Sequence, residues 1–130
     1  MSYESIAGYI DTKTLLGSIG ENQRNIKKLL KTKANTIKEV QSAMDEKARA
    51  KTPLDESQQR TFYEFTGTYA KEGGRLKENL MRMEHIQNVL HTENTGAFTL
   101  SLLLLQRHQH SAIKSLRRMI ASGQETLNVL

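Results

Sequence analysis

The feature that most constrains this chain is a seven-residue repeat of apolar side chains that resumes beyond its single proline, Pro53. Apolar residues at this spacing form one stripe along an α-helix, and such stripes pack against one another in coiled coils and helical bundles. The first stripe consists of Leu16, Ile19, Ile26, Leu30, Ile37, Val40 and Met44, and the second of Phe62, Phe65, Tyr69, Leu76, Met83, Ile86 and Leu90. The repeat predicts long helices packed side by side.

The composition of the 130 residues indicates one all-α domain. A single hydrophobic core ordinarily serves about 100–200 residues, so a second independent core would be undersized. Aromatic residues make up 5% of the chain and tryptophan is absent, which leaves a core mainly of Leu, Ile and Met. Such aliphatic cores suit helical bundles. We expect residues 1–130 to form one elongated antiparallel three-helix bundle, a coiled-coil-like hairpin of two helices joined by a third.

The residues around the proline predict where the first two helices meet. Proline disfavours helix in the residue before it and suits the first position of a new helix, and Thr52 is a good N-cap. The first helix is therefore expected over about 12–51 and the second over about 53–91. A short N-terminal lead precedes them.

Glycines mark the remaining breaks in the predicted helices. Gly73 and Gly74 disfavour helix by propensity, but the apolar stripe keeps its frame across them, which favours a continuous helix with a weak point or kink. The third helix is expected over about 97–122, because Ser122 and Gly123 are typical of a helix end. The residues beyond would form a short C-terminal tail.

The third helix carries more leucine than one packing face can use. Leu100, Leu103 and Leu104 project away from its inward stripe. We interpret these three as an apolar patch for self-association or for a partner's helix, and burial by the N-terminal lead or the C-terminal tail is the alternative. The inward stripe itself consists of Phe98, Leu102, Leu105, Ala112, Leu116 and Met119, with Ile113 and Ile120 beside it.

Polar residues interrupt the apolar stripes at Gln23, Lys33 and Gln109. Interruptions of this kind lower stability but fix register and partner choice in coiled coils. Placement at a bundle end, or a side chain that reaches back to water, is the alternative interpretation.

Basic residues follow the side of the first helix opposite its apolar stripe. The net charge is +5, and ten of the nineteen Lys and Arg lie within residues 13–51. A solvated outer surface is the simpler interpretation, and an electrostatic contact surface for an acidic protein, a nucleic acid backbone or an anionic membrane is the alternative. This basic face consists of Arg24, Lys27, Lys28, Lys31 and Lys38, with Arg107, Lys114, Arg117 and Arg118 on the back of the third helix.

No residue pattern predicts catalysis, a cofactor or a metal site. The chain has no cysteine, which excludes disulfides, thiolate ligands and a cysteine nucleophile. His108 and His110 point to opposite sides of a helix, and His85 and His91 lie on different faces, so the histidines make no metal-binding pair. Catalytic carboxylate pairs and phosphate-binding glycine loops are not found. We expect a protein that is not an enzyme and has no small-molecule substrate.

The expected function is therefore interaction with another protein. The chain lacks the pattern of a cleaved signal peptide and of a membrane span, which predicts a cytoplasmic protein, with export by a specialised secretion system left open. In architecture alone it resembles spectrin-like repeats, the regulatory bundles of membrane-fusion proteins and bacterial secretion chaperones. We predict an adaptor, assembly subunit or secretion-type chaperone that binds a partner's helix or acidic segment, or a second copy of itself. A basic protein that binds nucleic acid or anionic membranes is the alternative.

Overall fold

The computed structural model describes residues 12–92 and 98–130, which form three helices: α1 (Thr12–Arg49), α2 (Glu56–Thr92) and α3 (Phe98–Val129). No strand occurs in these two ranges. The all-α three-helix bundle predicted from the repeat is therefore confirmed. The predicted N-terminal lead lies outside the described residues.

The direction of the helices follows from the contacts between them. Gln106 near the start of α3 donates a hydrogen bond to Ser18 near the start of α1 (3.0 Å), so these two helices run in parallel. Gln58 near the start of α2 donates to the carbonyl of Val129 at the end of α3 (2.7 Å), so α2 runs the opposite way. The topology is up, down, up.

α3 is the central helix of the bundle. It packs against both α1 and α2, whereas α1 and α2 approach each other at few points. At one such point the ammonium of Lys33 lies 5.9 Å from the centre of the Tyr69 ring. α3 is therefore apolar on two sides because it is covered from two sides. Its buried apolar residues are Leu102, Leu105, Ala112, Ile113, Leu116, Met119 and Ile120.

The core-facing stripe of α1 differs at its start from the predicted heptad. Leu15 is buried, whereas Leu16, which the repeat assigns to the stripe, is 46% exposed. At 100° per residue, an α-helix places Leu15 nearly in line with the buried Val40 and turns Leu16 away by about 120°. A strict seven-residue repeat drifts by about 20° per heptad on a straight helix, and the error accumulates toward the N-terminus.

The end of α1 is closed by a left-handed residue. Lys51 has φ of 53°, and the amide of Thr52 donates to the carbonyl of Lys47 (3.0 Å). This arrangement is a Schellman motif, which satisfies a carbonyl left free by the helix end. The first helix therefore ends at Arg49, two residues before the predicted limit, and Thr52 belongs to the turn.

The start of α2 is set by a reciprocal cap between Asp55 and Gln58. The Asp55 carboxylate accepts a hydrogen bond from the backbone amide of Gln58 (2.8 Å), and the side-chain oxygen of Gln58 accepts one from the backbone amide of Asp55 (3.0 Å). Because this pair makes Asp55 the N-cap, α2 begins at Glu56, and the predicted start at Pro53 is wrong. α2 then runs without a break through Gly73 and Gly74.

α3 continues past the predicted stop at Gly123 to Val129. Gly123 is buried, and a Cβ atom placed on it would lie 2.5 Å from Cγ2 of Thr36 in α1 and 3.5 Å from Cε2 of Phe65 in α2. The glycine therefore serves close packing of the three helices instead of a turn. The predicted tail is the last part of α3, held by the bond from Gln58 to the Val129 carbonyl.

Gln109 is a fully buried polar residue in the contact between α1 and α3. Its amide nitrogen donates to the carbonyl of Ile19 (3.1 Å), and its oxygen accepts from the side chain of Asn22 (3.2 Å). A buried amide with both ends hydrogen-bonded holds one register of α3 along α1, since a shift of one turn would break both bonds. Gln23, another predicted polar interruption, is exposed.

Candidate partner-binding groove

The exposed apolar residues concentrate in one half of the bundle. Among the described residues, six large hydrophobic side chains are exposed, and Tyr63 (79% exposed) is the one in the other half. The remaining five lie in the half where α1 and α3 begin: Leu16, Met81, Phe98, Leu100 and Leu104. This half presents the apolar surface available for contact with another molecule.

Two of these side chains belong to a groove between α2 and α3, on the side of the bundle facing away from α1. At its apolar end, Met81 and Ile86 of α2 and Leu104 of α3 line a cavity of about 550 Å³. An adjoining cavity of about 440 Å³ continues along the helices past Arg75 and Ser111 and shares Leu104 with the first. We call this continuous surface the α2–α3 groove.

The rim of the α2–α3 groove is basic. Arg75, Arg82 and Arg107 line it, against the single acidic residue Glu78. Arg82 pairs with Glu78 at 2.9 Å, but both side chains are more than half exposed, so the pair contributes little to stability. Arg107 forms no ion pair within the part of the chain that the structure describes. The groove therefore combines an apolar floor with excess positive charge.

His108 lies at the base of the groove, between its apolar and basic parts. Its Nδ1 is 2.9 Å from Oδ1 of Asn79, so this ring nitrogen carries the proton and donates to the amide oxygen. Burial lowers the pKa of His108, and the positive charges of Arg82 and Arg107 lower it further. His108 is accordingly a neutral hydrogen-bonding side chain at neutral pH.

Glu72 lies farther along α2, beside a polar cavity of about 620 Å³ that also includes Thr68 and Ser122. Only 4% of the residue's surface is exposed. Its Oε1 accepts from Arg75 and Arg118, each at 3.3 Å. Oε2 is buried and has no hydrogen bond of ordinary geometry within the described residues.

The pKa of Glu72 reflects two opposing effects. Burial by itself raises the pKa of this carboxyl. The Ser115 hydroxyl and the Arg118 guanidinium favour the ionised form by hydrogen bonding, and the charge of Arg75 adds to them, so the pKa is lowered below its ordinary value. Glu72 is therefore a structural anion that joins α2 to α3.

Sequence reasoning missed Glu72, although the signal was present. It follows Tyr69 by three residues and precedes Leu76 by four, which is the spacing of the apolar stripe itself. An acidic residue at a stripe position predicts a buried ion pair when basic residues lie within reach. For Glu72 these are Arg75, three positions later on α2, and Arg118 on the facing helix α3.

The three leucines of the predicted patch do not form one surface. Leu100 and Leu104 are exposed on the same side of α3, four residues apart, and Leu104 lines the groove. Leu103 lies on another side of the helix, half-buried against the core. The structure thus brings Leu104 together with Met81 and Ile86, a combination that no pattern in the sequence predicted.

The predicted basic residues lie on two separated surfaces. Every one of them is exposed. Arg107 and Arg118 border the cavities between α2 and α3, whereas the five basic residues of α1 line none of these cavities: Arg24, Lys27, Lys28, Lys31 and Lys38. Lys114 and Arg117 are exposed on α3 and line none of these cavities.

Within residues 12–92 and 98–130, no three His, Asp or Glu side chains come close enough together to hold a metal ion. His85 lines the groove, while His91 and His110 are exposed elsewhere. In the same two ranges, no helix combines the length and the apolar character that a bilayer crossing requires.

Comparison of the chain with protein-family models, curated protein sequences and solved structures finds no match.

Proposed function

We propose that this chain is a non-catalytic interaction module, an adaptor, assembly subunit or chaperone-like protein, that binds a helical segment of a partner protein in the α2–α3 groove. One observation carries the proposal: Met81 (62% exposed) and Leu104 (40% exposed) stand on facing helices and line one apolar cavity. Paired helices with an open apolar groove are a recurring binding site for a third helix.

Burial of these side chains supplies the driving force for binding. A large aliphatic side chain gains about 1.5–3 kcal/mol when it passes from full exposure to burial, so partial exposure leaves a fraction of that to be gained. Leu100, one turn before Leu104 on the same side of α3, extends the apolar surface beyond the cavity. A partner helix that covers Met81, Leu100 and Leu104 removes three of the six exposed large hydrophobic side chains of the described residues from water.

Site-specific photo-crosslinking in cells that express the chain tests this proposal. A benzophenone amino acid at position 104 is expected to form an adduct with a partner protein, because Leu104 lies in the groove. The same amino acid at position 63 is the matched control, since Tyr63 is also exposed but lies on α2 in the other half of the bundle. The mass of the adduct identifies what occupies the groove.

Each pattern of crosslinks has a separate meaning. An adduct with another protein at position 104 but not at position 63 supports the proposal. An adduct of twice the chain mass indicates self-association, and a crosslink to residues 1–11 of the same chain indicates that these residues cover the groove. Either of these two results, or equal crosslinking at positions 104 and 63, contradicts the proposed binding of a partner protein in the groove.

A second candidate function is supported by the basic face of α1. Lys27, Lys28 and Lys31 are exposed, as are Arg24 and Lys38, and none of the five pairs with an acidic side chain among the described residues. Five unneutralised charges on one helix suit a nucleic acid backbone or an anionic membrane.

Binding to duplex DNA, RNA and acidic vesicles at low salt tests the second candidate. Affinity that falls steeply with salt, and that disappears in a Lys27→Glu, Lys31→Glu variant, supports it. A Lys77→Glu variant is the control, since Lys77 is exposed on α2. Absence of binding at low salt rules this candidate out.

A further inference from the structure

We infer that the α2–α3 groove takes an acidic amphipathic helix from a different protein. This inference rests on the proposed function and adds the charge and geometry of the partner. Positive charge around the apolar floor of the groove favours an acidic helix, and the spacing of the arginines matches the repeat of a helix. The same positive charge repels a second copy of this chain.

The charge around the groove selects an acidic partner. Arg75, Arg82 and Arg107 border the two adjoining cavities, and Glu78 is the single acidic residue there. Arg107 has no ion partner among the described residues, so it is open to a carboxylate from another molecule. A helix with Glu or Asp beside its apolar stripe would place opposite charges against these arginines, whereas a basic helix would be repelled.

The spacing of the groove residues matches a helix. Arg75 and Arg82 are seven residues apart on α2, which is two turns or about 10 Å. Arg75 bonds Glu72 through Nη1 and Arg82 bonds Glu78 through Nη2. A guanidinium has five N–H donors, so each arginine can also bond a carboxylate of a partner.

A helix lying along α2 presents acidic residues seven positions apart at the same distance. Beside Arg82, at the end of the groove away from Arg75, one large apolar side chain of the partner would enter the cavity lined by Met81, Ile86 and Leu104. The partner helix would then complete a four-helix arrangement around α2 and α3.

The same charge argues against a second copy of this chain as the occupant. In a symmetric dimer each groove meets the same groove, so Arg82 and Arg107 would face arginines of the other subunit. Positive charges at such short distances repel one another and oppose association, unless acidic groups lie between them. Glu78 is already paired with Arg82, which leaves no acidic residue of the groove to neutralise the contact.

Two synthetic peptides that differ only in flanking charge test the inference on the purified protein. Both are about 20 residues long and carry the same leucine stripe, one with Glu and the other with Lys beside it. Fluorescence anisotropy at low salt is expected to show roughly tenfold tighter binding of the Glu peptide, since three exposed charge pairs each contribute a modest share. Added salt is expected to reduce the difference.

Variants of the protein locate the effect in the groove. An Arg82→Glu, Arg107→Glu variant is expected to reverse the preference in favour of the Lys peptide, and Leu104→Glu is expected to weaken both peptides. Arg117→Glu is the matched control, because Arg117 is exposed on α3 but lines none of the cavities. Circular dichroism verifies that each variant remains helical.

The outcomes separate this inference from the proposed function. Equal binding of the two peptides, or binding of neither up to their solubility limit, overturns the inference of an acidic helix. The photo-crosslink at position 104 then still decides whether the groove binds a protein at all. An adduct there with a protein lacking an acidic helix contradicts the inference and supports the proposed function.

Discussion

At the scale of single residues, buried polar groups hold the helices in register. Gln109 joins α3 to α1 through Ile19 and Asn22, and Glu72 joins α2 to α3 through Arg118. Apolar side chains pack at several registers with similar energy, whereas a buried polar group loses its hydrogen bonds when the register changes. The leucines therefore stabilise the packing of the helices at any of these registers, and the two polar groups select one register.

We predict that Glu72 makes the stability of the protein depend on pH in the acidic range. Because its pKa is lower in the folded state, the unfolded chain takes up the proton first, so this contribution to stability is lost as the pH falls below about 4.5. Glu72→Gln is expected to lower the free energy of unfolding by about 1 kcal/mol at neutral pH, since both arginine partners are more than half exposed. Urea denaturation at several pH values measures it.

The difference between wild type and Glu72→Gln is expected to shrink in acid, where the protonated glutamate resembles the amide. Glu84→Gln is the control, because Glu84 is exposed and forms no ion pair with a described residue. A difference that is the same at pH 3 and pH 7 would show that the charge of Glu72 has no part in stability.

Residue by residue, the sequence predicted the apolar core better than its polar contacts. The stripe on α3 lies inside, with Leu102 and Leu116 fully buried. Gln109 was recognised as a polar interruption, but its partners were not, because hydrogen bonds between residues some 90 positions apart depend on helix register. The assignment of Leu16 in place of Leu15 came from applying a heptad to a helix that follows its own 3.6-residue period.

At the scale of the helices, small residues and caps determine where the elements end. Gly123 looked like a helix stop because glycine has a low helix propensity. In the bundle it is the position at which α3 approaches both Thr36 and Phe65. Sequence alone did not distinguish the two roles, since a packing glycine is identified by what lies opposite it. The cap at Asp55 and Gln58, by contrast, is a local pattern of an acidic residue followed three positions later by glutamine, which is present in the sequence itself.

We predict that Gly123→Ala destabilises the protein by about 1–3 kcal/mol, because the added methyl group overlaps Thr36. Gly74→Ala is the matched control: it has nothing within 4 Å of the added Cβ and lies inside α2, so it is expected to stabilise by up to about 1 kcal/mol. Thermal or urea unfolding measures both.

A double variant identifies the cause of the expected loss. Thr36→Ser removes the Cγ2 atom that the alanine methyl would meet, so in the Thr36→Ser background Gly123→Ala is expected to cost much less. If the cost is unchanged there, close packing against Thr36 is not the reason for the glycine.

At the scale of the whole molecule, the fold class followed from the sequence but the arrangement of its surfaces did not. The repeat predicted three long helices, and the structure confirms them. The α2–α3 groove was not predicted, because it forms where residues from two helices meet across a packed interface. Met81 lies off the stripe of α2 and was assigned no role from the sequence. Leu104 lies off the stripe of α3 and was grouped with Leu100 and Leu103 of its own helix, because the helices have to be placed side by side before Met81 and Leu104 meet.

We predict that the purified protein is a monomer over a wide range of concentration at low salt, because self-contact through the groove would bring arginines together. Sedimentation equilibrium measures the mass. An Arg82→Gln, Arg107→Gln variant, in which the charges of Arg75 and Glu78 offset each other, is expected to associate more readily if the groove is where copies meet. A stable dimer of the wild-type protein at low salt would contradict both this prediction and the inferred role of the basic rim.

The central position of α3 has a consequence for how the protein is made. Both outer helices pack mainly on α3, yet both precede it in the chain and leave the ribosome first. Until α3 emerges, the apolar faces of α1 and α2 are exposed to solvent. Nascent chains with exposed apolar surfaces aggregate or bind chaperones. A ribosome stalled before residue 98 would thus hold a hairpin without its core.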